Sequence, residues 1–147
     1  MIGHIHLGYL FFAGISGGYL MIFVGYWMEG FLGLPRFDSS KAGLVYLGGE
    51  KPERWTVGIL FHLFDSVLIA LIYAGWFIDV TTGPLWFRGL LFGVLLGIMM
   101  YIVFFIGSWA GSVHFKRIPK TRQAIFVEIF LSAIYGLILG ILYVPGH

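Results

Sequence analysis

Charged and apolar positions alternate along this chain in long blocks rather than residue by residue. No Asp, Glu, Lys or Arg occurs between Met1 and Trp27 or between Gly89 and Phe115. Elsewhere the apolar stretches are broken only by His62, Asp65 and Glu128. An α-helix rising ~1.5 Å per residue needs about 20 apolar residues to cross a hydrocarbon core of ~30 Å. Four such segments fit: residues 7–27, 57–77, 90–108 and 124–144. The pattern predicts an all-α polytopic membrane protein, a single domain built as a four-transmembrane-helix bundle with connecting segments at residues 28–56 and 109–123.

Composition agrees: 59% of the 147 residues are hydrophobic and 11% charged, against about 25% charged in a soluble domain. The longest segment outside the spans is too short for a separate catalytic domain. With no cysteine, disulfides, thiolate zinc sites, cysteine-held clusters and thiol catalysis drop out together. The first apolar run lacks a basic leader and an A-x-A-like site, so it reads as a retained helix.

The net charge of +2 is not a nucleic-acid footprint, because its distribution is topological. Arg36, Lys41, Lys51 and Arg54 separate the first two spans, and Lys116, Arg117, Lys120 and Arg122 the last two; the middle connection holds only Arg88. Eight basic residues against one put both basic loops on the cytoplasmic side and both termini outside; the expected location is the plasma (inner) membrane. Asp79-Val-Thr-Thr-Gly-Pro84 predicts a tight hairpin turn, with Pro84 in the first turn of the next helix. Leu34-Pro35 ends a helix, and Asp38, Ser39 or Ser40 could cap a short surface segment carrying Leu44, Val45 and Leu47. Trp27, Trp55, Trp76, Trp86 and Trp109 fall near span ends, where indoles anchor at headgroups.

Small residues recur in steps of four: Gly14 and Gly18 in the first span, Gly89, Gly93 and Gly97 in the third, Ser132, Gly136 and Gly140 in the fourth. Such steps stay on one helical face and let a neighbouring backbone approach. The second span has the row Gly58, His62, Ser66, Ala70, Ala74, and Glu128 heads the row of the fourth. His62 and Glu128 therefore point inward, each about five residues in from the basic loops. Asp65 lies one turn deeper and ~60° round from His62. An acid within a membrane helix costs roughly 2.5–3.5 kcal/mol on insertion scales, so each needs a partner. His62, Asp65 and Glu128 are candidates for one another, with Tyr26, Glu29 and Ser108 at the matching span ends. The cluster reads either as an ionisable site that moves protons or holds a polar head group, or as a structural polar clasp.

Other chemistry is thinly represented. His62 could serve as one axial haem b ligand, but no second histidine lies inside the bundle. His4-x-His6 lacks a third metal ligand. The basic run of Lys116, Arg117, Lys120 and Arg122 could meet anionic lipid heads. No phosphate loop, nucleophile elbow or zinc-protease signature is present.

The glycine-rich first helix with Gly33-Leu-Pro35, the second with Gly58-x-x-x-His62 and Tyr73-Ala74, and the last with Tyr135-Gly136-x-x-x-Gly140-x-x-Tyr143 resemble small bacterial and archaeal four-span families of the YagU-like inner-membrane kind. The resemblance implies a four-helix membrane fold and carries over no activity, cofactor or active-site residue. The expected function is that of an accessory, non-catalytic subunit of a larger membrane complex, respiratory or otherwise energy-converting. Its partners would be lipids and other integral membrane subunits, with no nucleic acid. A small transporter or channel using the His62, Asp65, Glu128 cluster, or a lipid- or haem-binding protein, are the alternatives.

Overall fold

A computed structural model describes residues 6–35, 55–111, 113–116 and 118–145. Four helices are long and apolar enough to cross a membrane, and no strand occurs among the described residues. Helix α1 spans Leu7–Leu32. Helix α2 runs over Trp55–Ile72, continues through a π-helical turn at Tyr73–Phe77 and closes with Ile78–Val80. Helix α3 spans Leu85–Trp109 and α4 spans Arg122–Leu142, with a short helical turn, Val113–Lys116, between them.

These bounds differ from those expected of the apolar runs, because helices end at caps and not where hydropathy falls. Helix α1 passes the expected end at Trp27 and stops where Gly33, at φ +61, takes the left-handed conformation and its N–H bonds back to Glu29 O. Glu29 is thus helical and not part of a loop. Helix α3 begins five residues before Leu90 because the Phe87 and Arg88 amides turn onto Pro84 O; Pro84 itself is the cap and not a first-turn residue. Helix α4 begins at Arg122 because the Thr121 hydroxyl accepts from the Ala124 amide. It ends at Leu142 instead of Val144, since a residue before proline disfavours the helical region. The surface segment expected around residues 38–49 lies outside the described residues.

Helix α3 lies along α4, α1 along both α4 and α2, and α2 meets α3 through its π turn. The α3/α4 seam is backbone on backbone. A Cβ on Gly93 would strike the Ser132 carbonyl, one on Gly89 the Gly136 carbonyl, and one on Gly140 the Leu85 carbonyl. A Cβ on Gly97 would come within 2.8 Å of Ile129 Cα. On α1, Gly14 and Gly18 abut Val67 and Ser66 of α2, whereas Gly17 receives the Tyr135 ring of α4.

The two ends of the bundle are built differently. At the hairpin end, where Thr81 to Pro84 join α2 to α3, Tyr73 stands 5.2 Å from Phe92 and 6.3 Å from Tyr143 between ring centroids, and Phe77 lies 5.1 Å from Phe92. Tyr73 donates to Leu85 O. Arg88 donates to Ile78 O at 2.9 Å and Gly83 O at 2.7 Å, placing its charge on the carbonyl end of α2. The turn itself rests on Gly83, at φ +109. At the opposite, basic-loop end, the connection between α3 and α4 folds back on α3. Phe115 packs over Gly107 and Phe104, Tyr101 donates to Pro119 O at 2.7 Å, and Lys120 donates to Ser108 Oγ.

Candidate functional site

Helical geometry and one hydrogen bond define the polar interior at the basic-loop end. The Tyr135 hydroxyl donates to Ser66 O, tying α4 to α2 across the bundle. Two turns back along α4, ~10 Å, is Glu128; one turn back along α2, ~6 Å, is His62. Because side chains lean toward their helix N-terminus, the tyrosine hydroxyl lies below its own Cα, and the two offsets nearly cancel. His62 and Glu128 therefore occupy about the same depth.

They also face the same way. On α4, the α3 contacts run through Ile129, Ser132, Ala133 and Gly136, and the α1 contacts through Val127, Leu131 and Tyr135. Glu128 projects between those flanks, ~20° from Tyr135 on the wheel. On α2, α1 lies against Leu63, Ser66, Val67 and Ala70, and His62 and Ile69 lie on the interior side of that contact. The His62 imidazole rests against the Gly18 backbone of α1, and Ser66 Oγ donates to His62 O at 2.7 Å.

Glu128 is 4% exposed, and its Oε2 and the His62 Nε2 are buried without a hydrogen-bond partner. Their mutual bond is not made. Asp65, expected to complete the cluster, is only partly buried on the α2 flank away from α1, and bonds neither His62 nor Glu128. Of the remaining expected members, Ser108 is buried and accepts from Lys120. Tyr26 and Glu29 are exposed residues of α1. Sequence reasoning missed Tyr101, which lies within electrostatic reach of Glu128 and which no spacing motif marks; Tyr135 figured there only in the last-helix motif, without the bond to Ser66 O that sets the register.

Lys116, Lys120 and Arg122 of the basic run are exposed at the same end, while Arg117 lies outside the described residues. No group of three or more His, Cys, Asp or Glu side chains converges among the described residues. His62 is a lone imidazole in the described interior, a donor set for at most one axial position of a haem. Compared with protein-family models, curated proteins and solved structures, the chain matches none.

Proposed function

We propose that this chain is a multi-pass membrane protein that acts, without catalysis of its own, as an accessory subunit docked against another integral membrane protein. Eight basic residues in two connections against one in the third support placing both basic loops in the cytoplasm and both termini outside.

The observation that carries this reading is Tyr19. It lies midway along α1, is exposed, and its hydroxyl meets no acceptor among the described residues. A phenol placed at mid-bilayer against acyl chains leaves that hydroxyl unsatisfied, at a cost of about 1–3 kcal/mol. Headgroup anchoring does not account for it, since tyrosine belts form at the interfaces. Tyr19, Phe23, Trp27 and Phe31 also form one exposed four-residue ridge, with Trp27 and Phe31 stacked at 5.7 Å. Such a ridge is the unit that packs into a groove of a second helix, and a partner would supply the missing acceptor.

The test is isolation from native membranes in mild detergent. The chain should migrate with a second membrane protein, and Tyr19→Ala combined with Phe23→Ala should release it while leaving the fold intact, because both positions are exposed. Recovery of the wild-type chain alone would sink the reading. So would proton or solute flux through the purified chain in liposomes that His62→Ala abolishes.

A further inference from the structure

We propose that the interior of the bundle at its basic-loop end, between His62 of α2 and Glu128 of α4, is a binding site for a primary ammonium group. Two buried atoms lack partners there, Nε2 of His62 and Oε2 of Glu128, on facing helices at matching depth. The imidazole rests against the Gly18 backbone, and a neutral ring can present its unpartnered Nε2 as an acceptor. A carboxylate offers only acceptors as well. Two acceptors that do not bond each other leave room for a donor between them, and an ionised carboxylate 4% exposed is best met by a positive one.

The described cation nearest in sequence, Arg122, is exposed, and Lys120 turns to Ser108. Arg88 is at the other end of the bundle, holding the hairpin. A metal ion would need a ligand set that does not converge here among the described residues. An ammonium nitrogen carries three N–H donors, two of which these two acceptors can take. Access is lateral: α2 and α3 join at the π turn and then follow different partners, α1 and α4. Asp65 lies partly buried on the α2 flank that faces this divergence, an acid at the entrance. The ammonium could belong to a free amine or to an ethanolamine lipid head, and the two are separable by experiment.

The full-length chain is reconstituted in phosphatidylcholine nanodiscs and titrated with ethylammonium chloride, with tetramethylammonium chloride as a cation of equal charge lacking N–H donors. Ethylammonium should raise the thermal unfolding midpoint saturably and tetramethylammonium should not. Glu128→Gln should weaken the response at least tenfold, His62→Gln likewise, and Asp79→Asn at the hairpin end should leave it unchanged. Nanodiscs doped with phosphatidylethanolamine form the second arm: stabilisation there without free amine identifies a lipid head, and stabilisation by ethylammonium alone a soluble amine. Should a variant fail to fold, line broadening of 15N-labelled ethylammonium by the wild-type chain, reversed by unlabelled ethylammonium and not by tetramethylammonium, reads the same site. An equal response to both salts, an undiminished response in a folded Glu128→Gln chain, or no response to either amine source overturns the proposal.

Discussion

At the scale of single residues, positions with no side chain matter as much as those with one. Gly93 has the Ser132 carbonyl where a Cβ would go, with Gly136 Cα 3.0 Å from the same point. Neither neighbour is a flexible side-chain tip, so a substituent must push two helices apart. Gly93→Leu should therefore separate α3 from α4 and cost more than the ~1–3 kcal/mol typical of overpacking, seen as loss of the folded species in a detergent-resistance assay. Leu95→Phe, on the exposed face of the same helix, should change little. Tyr135→Phe keeps the ring against Gly17 and deletes only the bond to Ser66 O. Hydrogen bonds between membrane helices average ~0.6 kcal/mol and reach ~1.7, so a loss within that range by steric-trap unfolding is expected. A loss several times larger would mean that the ring contact goes with the bond.

At the scale of elements, the hairpin of α2 and α3 depends on side chains turned onto backbone. Arg88 serves two carbonyls at the end of α2, and the Thr81 hydroxyl donates to Phe77 O at 2.8 Å. Arg88→Gln should loosen that end, visible as faster amide exchange over residues 77–83, while Arg88→Lys restores only part of the protection because an ammonium lacks the guanidinium fork. Much of this was legible in the sequence: the Asp79 to Pro84 turn signals the hairpin, and the four-residue glycine steps mark which faces are narrow. Which helix each face meets was not legible. The first-span steps give Gly14 and Gly18, both against α2, but Gly17, one residue off that row, is what admits α4. The inward placement of His62 and Glu128 follows from helical period, whereas their failure to bond each other depends on α2 and α4 standing diagonally across the bundle, which no single-helix pattern encodes.

For the whole molecule, exposed indoles lie toward both ends of the bundle: Trp27 and Trp109 toward the basic-loop end, Trp76 and Trp86 toward the hairpin. Along α3, Trp86 and Trp109 are separated by ~35 Å at 1.5 Å per residue, a little more than a hydrocarbon core of ~30 Å. The folded chain should therefore be most stable to heat in bilayers with acyl chains of ordinary length and less so in markedly thinner ones. A midpoint insensitive to acyl length from short to long phosphatidylcholines would show that these rings do not set its position. Reporter tags at the two ends of the chain should be reached from outside the cell and one beside Lys120 from within.

The Tyr135 ring seated over Gly17 has a consequence in time. Helix α4 is the last of the four to be synthesised, yet it carries the face against which α1 packs. After α2 has covered Gly14 and Gly18, Gly17 of the first helix would still stand without its ring throughout the synthesis of α3. A chain stopped before α4 has no seam for α3 and no ring for Gly17. Arrival of the final helix is thus the event that closes both contacts and completes the bundle.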